Sequence, residues 1–275
     1  MKMGNRLKKL IFIATTLYLI LVMAAFLSQE KLIFHPEKLP KNFRFDLAKG
    51  GEELFLTTED QEKINALFFP GNKSEVILYF HGNAGSLAGW QQVADDFTSL
   101  GYSILIIDYR GYGKSSGKIT EKGLYLDAFA AFHFLTDKKD FSPDEIIIYG
   151  RSIGSGIATD LASKRLTKGL VLESPFSNLK KLATQKMPFL FPSLFLQFHF
   201  DNIGKLDSVN CPILLIHGGN DALIPVSHAQ NLHKAYSGKK KLVIIPQGTH
   251  NDLSLFDKYH ETLILSHEFF SPQNK

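Results

Sequence analysis

Short, nearly unbroken apolar runs punctuate the chain at 54–56, 64–69, 76–80, 102–107, 146–149, 170–172, 213–216 and 242–245, and turn residues follow each one. Segments 87–100, 123–135, 154–163 and 257–270 carry helical spacing instead; in the first, Val93, Phe97 and Leu100 fall on one face. Continuous apolar strands alternating with helices predict a parallel sheet covered on both faces. The expectation is therefore a doubly wound, mostly parallel, eight-stranded α/β sheet. In such sheets chemistry collects just beyond the carboxyl ends of the strands. The residues that follow each run are the ones to read closely.

The pattern is different at the N-terminus. Residues 10–28, LIFIATTLYLILVMAAFLS, carry no charge and are apolar on every face. Roughly 18–20 such residues cross a bilayer as a helix. A signal peptide has a shorter apolar core, about 7–15 residues, and ends in an A-x-A-like site. This run ends in Phe26-Leu27-Ser28-Gln29 without that pattern, so an uncleaved signal anchor is expected. Lys2, Arg6, Lys8 and Lys9 precede the span, and Lys31, Lys38, Lys41 and Arg44 follow it more thinly. Because long domains translocate largely regardless of their own charge, the dense cluster predicts a cytoplasmic N-terminus and an extracytoplasmic domain. The expected organisation is tail and anchor over 1–28, linker over 29–50, and one domain over 51–275.

Composition adds exclusions. The formal net charge is +4, and the four basic residues ahead of the span account for it. No basic face remains to suggest nucleic acid as a partner. The single cysteine, Cys211, cannot form an intramolecular disulfide, and its place before Pro212 at a strand start favours a structural role. The ten histidines form no cluster with metal-ligand spacing, so no metal or other cofactor is expected.

The run at 146–149 opens IIIYGRSIGSGIATDL, in which Ser152 sits at the centre of G-x-S-x-G between a strand and a helix. A tight turn there lifts a serine hydroxyl out of the sheet as a nucleophile, and the Ile153 N–H then faces a developing oxyanion. A nucleophile of this kind needs a base held by an acid. Asp221 follows one strand in HGGNDALIP, and His250 follows the last strand in PQGTHNDL. The order Ser152, Asp221, His250 makes His250 the base and Asp221 its orienting acid. Glu173, in LESPFSN, is an alternative acid. HGNAG, residues 81–85, offers the second oxyanion donor through the backbone N–H of Asn83, with Ala84 as alternative. Since the donor is backbone, Asn83→Ala is expected to do little and Gly82→Pro to be severe. Asp108 and Arg110, in DYRGYGKSSG, read as loop braces that bond loop backbone, and His217 reads as structural. Arg151 has no assigned part: it braces the elbow or binds a substrate carboxylate.

FHGNAGS, DYRGYGKSSG, YGRSIGSG, ESPFSN, LLIHGGNDALIP and GTHND together resemble the membrane-anchored branch of the α/β-hydrolase superfamily, the serine aminopeptidase S33-like and depalmitoylating hydrolases. The resemblance runs from about residue 32 to the C-terminus. It implies an α/β-hydrolase sheet with Ser152, Asp221 and His250 as the triad, and no cofactor.

Residues 176–207 lie where such hydrolases insert a lid. They hold Phe189, Phe191, Phe195, Phe198 and Phe200, and Pro188 and Pro192 interrupt helical continuity. This segment is either a helix packed on the core or an apolar acyl-binding wall reaching the bilayer. The reading is a serine hydrolase acting on esters or thioesters with an apolar acyl part. A peptidase or amidase on the same triad and a catalytically silent hydrolase fold used for binding are the alternatives. A third class is weaker. Gly150, Gly154 and Gly156 fit a dehydrogenase nucleotide loop and Tyr236-x-x-x-Lys240 its catalytic pair, but Gly238 breaks the helix such a pair needs.

Overall fold

The computed structural model describes residues 2–47 and 50–271. Positions 48–49 of the expected linker and 272–275 of the expected domain lie outside the described residues. Helix α1 (Lys2–Ile33) leads into a two-residue strand β1 (His35–Pro36), then β2 (Glu52–Thr57), β3 (Lys63–Phe69), β4 (Val76–Phe80) and a second two-residue strand β5 (Ala84–Gly85). Short helices α2 (Leu87–Trp90) and α3 (Ala94–Thr98) precede β6 (Ser103–Ile107). Next come α4 (Glu121–Lys138), β7 (Ile146–Arg151), α5 (Gly154–Ala162) and β8 (Gly169–Glu173). An insert of α6 (Leu179–Lys186), α7 (Pro192–Phe195) and α8 (Asn202–Lys205) follows. The chain closes with β9 (Ile213–Gly218), α9 (Ser227–Ala235), β10 (Lys240–Ile245) and α10 (Asp257–Phe270).

Eight strands form one sheet in the order β10-β9-β8-β7-β4-β6-β3-β2, parallel except where β3 pairs antiparallel with β2 and β6. The expected eight strands are all present. β4, β6, β7, β8 and β9 are buried at almost every position, which is why their sequences do not alternate. One face carries α4, α5 and α9 over Leu78, Leu105, Ile148, Leu172 and Leu215; the other carries α3 and α10 over Tyr79, Ile106, Tyr149, Val171 and Ile216. The expected single helix at 87–100 is instead two, joined by a 3₁₀ turn at Gln91–Val93.

Local signals explain the element ends. Thr120 caps α4 by accepting the Gly123 N–H at 3.0 Å, and Asn178 caps α6 by accepting the Lys181 N–H at 3.0 Å. Pro188 follows the end of α6 and Pro192 starts α7, with Phe191 left-handed at φ 48° between them. The interrupted helices in the insert follow from those two prolines.

Helix α1 is long and apolar enough to cross a membrane, with mean hydropathy 2.6 in its best window, and its apolar face is open over most of its length. Its C-terminal turns touch the domain. Gln29 is buried; its amide oxygen accepts the Gln197 N–H at 2.7 Å, and its NH₂ donates to the Phe26 carbonyl at 2.8 Å. Farther along, the Tyr18 hydroxyl donates to the Phe189 carbonyl at 2.5 Å.

Candidate active site

Ser152 sits between β7 and α5 with φ 54°, a conformation that costs a non-glycine residue roughly 1–3 kcal/mol. The surroundings hold it there. Its N–H donates to the Glu173 carbonyl at 2.9 Å, and its own carbonyl accepts the Ser155 N–H at 3.0 Å and the Ser155 hydroxyl at 2.6 Å. Glycine permits the turn through close approach. A Cβ on Gly150 would stand 2.6 Å from the Ala158 methyl, and one on Gly154 would meet the backbone of Phe80 and His81. Gly156 makes room for the Phe200 ring. These glycines pack a helix against a sheet, and no nucleotide loop is formed.

The three residues expected to act together lie at the ends of β7, β9 and β10 and meet in space. His250 Nε2 is 2.9 Å from Ser152 Oγ, and His250 Nδ1 is 2.7 Å from Asp221 Oδ2. The other Asp221 oxygen accepts the N–H groups of Leu223 and Ile224 at 2.9 and 2.8 Å. With a carboxylate against Nδ1, the proton sits on Nδ1 and Nε2 is free to accept from the serine. Burial works to raise the Asp221 carboxyl, but hydrogen bonds from the His217 and His250 rings and the Ile224 N–H outweigh it and hold the group below the usual carboxylate range.

His217 gains a place here. Its ring is buried, Nε2–H donates to the Ile224 carbonyl at 2.8 Å, and the same nitrogen stands 3.4 Å from Asp221 Oδ2. It braces the loop that carries Asp221. That is the structural role expected of it, although the sequence did not signal that its neighbour would be Asp221, four residues on.

The 81–85 loop lies beside the serine: a Cβ on Gly82 would be 3.9 Å from Ser152 Cβ. Among the described residues, neither the Asn83 N–H nor the Ile153 N–H donates to another protein group. The peptide plane carrying the Asn83 N–H is fixed through its other end, because His81 Nδ1 donates to the Gly82 carbonyl at 2.7 Å. That ring is wedged between Trp90, stacked at 5.4 Å, and Tyr109 at 4.3 Å.

Arg151 and Glu173 explain each other. Arg151 Nε pairs with Glu173 Oε1 at 3.1 Å, its guanidinium covers the Trp90 ring at 5.1 Å, and Nη2 reaches the His250 carbonyl and Asn251 Oδ1, each at 3.4 Å. The other Glu173 oxygen accepts the Tyr149 hydroxyl at 2.6 Å and the Tyr259 hydroxyl at 3.2 Å. Glu173 is thus tied under the elbow, and the carboxylate on His250 is that of Asp221. Asp108 bonds backbone as expected, but that of the first residue of α2, accepting the Leu87 N–H at 3.0 Å. Arg110 differs: its guanidinium grips the carboxylates of Asp60 and Asp127 rather than carbonyls. Cys211 is buried, and burial pushes its thiol up to about 12. Tyr236 closes α9 and donates to the Cys211 carbonyl at 2.6 Å, while Lys240 starts β10, so the pair shares no helix face.

With that sheet beneath them and a histidine joining serine to aspartate at its carboxyl edge, the molecule is an α/β hydrolase by architecture. Comparison with known proteins narrows this. The family described as serine aminopeptidase, S33, matches residues 71–203. The human alpha/beta hydrolase domain-containing protein 17B is 33% identical over 225 residues, covering 78% of this chain and 75% of that protein. An uncharacterized protein of Mycobacterium tuberculosis is 33% identical over 239 residues, covering 86% and 85%. The chain belongs to the α/β-hydrolase superfamily, together with these relatives. An esterase from Pyrococcus furiosus shares the fold at a TM-score of 0.69 and 23% identity, covering 85% of this chain and 98% of its own.

Proposed function

We propose that the chain is a membrane-anchored serine hydrolase that cleaves carboxylic ester or thioester bonds with an apolar acyl group. The observation that carries this reading is the unbroken line Ser152–His250–Asp221 at 2.9 and 2.7 Å, beside two undirected backbone N–H groups. His250 Nε2 takes the Ser152 proton as Oγ attacks the acyl carbon. The Asn83 and Ile153 N–H groups receive the oxyanion, and the α5 N-terminus adds to their field. Collapse expels the alcohol or thiol, which leaves with the proton held on His250. Water then repeats the sequence on the acyl-Ser152 ester. Asp221 keeps the tautomer correct and stabilises the imidazolium. These steps need no cofactor.

The substrate class rests on the surroundings of α1 and the insert. A cavity of about 100 Å³ between them is lined by Val22, Phe26, Ile33, Leu179, Met187 and Leu196, with Gln29 as its polar member. Phe189, Phe191 and Leu194 are exposed on the insert. Tyr18, which bonds Phe189, lies 15 residues before the end of α1, about 22 Å along the helix. If α1 spans the bilayer, the tip of this lid reaches its hydrocarbon. An acyl chain leaving the bilayer would meet this apolar surface first. The basic cluster before the span favours a cytoplasmic N-terminus and an extracytoplasmic domain; protease protection of the domain in intact spheroplasts would overturn that orientation.

An amidase reading draws on the family description. An aminopeptidase must hold a substrate ammonium, and Glu173, the acid under the elbow, has both oxygens engaged by Arg151, Tyr149 and Tyr259. Esters are therefore favoured. The test is fluorophosphonate labelling together with turnover of short- and long-chain p-nitrophenyl esters, thioesters and aminoacyl amides. Labelling lost in Ser152→Ala and a preference for long acyl chains are expected. Folded wild-type protein that is not labelled would make the fold a binding module, and a strong preference for aminoacyl amides would replace the ester assignment.

A further inference from the structure

The strap through which α1 enters the domain is bonded to the loop that carries Asn83. The carbonyl of Ile33, at the helix C-terminus where intrahelical partners run out, accepts the Asn83 side-chain NH₂ at 2.9 Å. The next residues form a parallel ribbon with that loop, His35 opposite Ala84 and Pro36 opposite Gly85. The His35 N–H donates to the Asn83 carbonyl and the Glu37 N–H to the Gly85 carbonyl, each at 2.9 Å. Pro36, which has no N–H, occupies the position whose nitrogen faces away from the ribbon. Ser86 Oγ donates to Glu37 at 2.6 Å. Underneath, Phe34 is buried against Phe198 at 4.9 Å and Phe200 at 6.5 Å. The Tyr112 hydroxyl adds a second donor to the Asn83 carbonyl at 2.8 Å.

We propose that the 33–37 strap is the frame of the oxyanion donor, and that the Asn83 side chain is a positioning residue acting through its own backbone N–H. The inference rests on Ser152 as nucleophile and Asn83 as donor. Asn83 is gripped at its side chain by the anchor's last turn and at its carbonyl by His35 and Tyr112. The peptide plane before it is gripped by His81. A donor so held stays aimed where charge develops and pays little reorganisation in the transition state. The membrane helix is then continuous with the catalytic loop and is more than a tether. The expectation that Asn83→Ala does little is revised accordingly.

The test uses the full chain in lipid nanodiscs, with Asn83→Ala and Tyr112→Phe. Ester turnover gives kcat and KM, a trifluoromethyl ketone supplies a tetrahedral oxyanion for the same donors, and hydrogen exchange reads the 82–86 amides. In Asn83→Ala, kcat is expected to fall about tenfold with KM within about twofold, and ketone inhibition to weaken in step with kcat. Tyr112→Phe should show the same pattern to a smaller degree. Exchange should quicken at 82–86 while the central strands keep their protection. Unchanged kcat, unchanged ketone affinity or unchanged loop exchange in Asn83→Ala overturns the proposal. A wild type that neither turns over esters nor labels at Ser152 fells the hydrolase reading instead, and the exchange arm still decides whether the strap holds the loop.

Discussion

Replacing Asp221 by Asn separates the proposed role of this carboxylate from its shape. The side chain is nearly isosteric, but its amide has only one way to lie. Asp221 Oδ1 accepts two backbone N–H groups, from Leu223 at 2.9 Å and Ile224 at 2.8 Å. Turning the amide the other way would set its NH₂ against both and strand two buried donors, at about 1–3 kcal/mol each. The amide oxygen therefore stays on the loop, and the NH₂ faces His250 Nδ1, 2.7 Å away in the parent geometry. It also faces His217 Nε2, whose proton is directed to the Ile224 carbonyl. A donor opposite Nδ1 forces the histidine proton onto Nε2, where it can no longer accept from Ser152. The same exchange in a Ser-His-Asp protease lowers kcat about 10⁴-fold. At about 1.36 kcal/mol per tenfold, that is about 5.5 kcal/mol of transition-state stabilisation. The assay is long-chain ester turnover beside the rate of fluorophosphonate labelling, with thermal melting to show that the variant is folded. A folded Asp221→Asn protein that keeps more than about one hundredth of the parent kcat refutes the reasoning, because the tautomer would then not depend on Asp221.

Other outcomes follow from the same contacts. Arg151→Ala should slow neutral and anionic esters equally and destabilise the fold by about 3 kcal/mol, since it leaves the buried Glu173 carboxylate without its cation; a selective loss on anionic esters in steady-state kinetics would make Arg151 a substrate-binding residue instead. Gly154→Ala drives a methyl into the backbone of Phe80 and His81 and should cost about 3 kcal/mol in urea unfolding; a change under about 1 kcal/mol would mean the elbow is loosely packed. Burial, with the Lys181 charge behind it, pushes the His228 imidazole down from 6.5 to about 4, so the unfolded chain binds a proton there that the folded chain excludes. Stability contributed by the neutral ring is full above pH 6.5 and is lost as pH falls toward 4; the melting temperature should therefore drop more steeply across that window in the parent than in His228→Asn, and parallel slopes would contradict it. A nitroxide on Phe191→Cys should collide more with oxygen than with a water-soluble nickel complex in nanodiscs, Cys211 being buried, and the opposite ratio would put the lid in water.

The strands that carry the site were readable because their information is local: a strand buried on both faces must be apolar at successive positions, and the residue after it must turn. That is how Ser152, Asp221 and His250 could be named from their places at strand ends, although 98 residues separate the serine from the histidine it meets. What escaped the sequence depends on contacts between distant segments that leave no periodic trace. β1 and β5 are His-Pro and Ala-Gly, pairs too short to show alternation, and they form a ribbon only because the chain leaving α1 is delivered to the 81–85 loop. Arg151 was unexplained because its partners, Glu173, Trp90 and the 250–251 loop, come from three other parts of the chain. Arg110 was read as bonding backbone because its carboxylate partners, Asp60 and Asp127, lie 50 and 17 residues away. The unbroken apolarity that makes α1 a candidate span says nothing about how the helix ends. Toward its end the apolar pattern stops, and Gln29, Ile33 and then His35 in β1 bond the domain, in addition to Tyr18 farther up the helix. A segment that pattern reading treats as a linker is hydrogen-bonded to the loop that carries Asn83, which is the ground for proposing it as part of the site's frame. Changes in this stretch should therefore alter turnover as well as attachment.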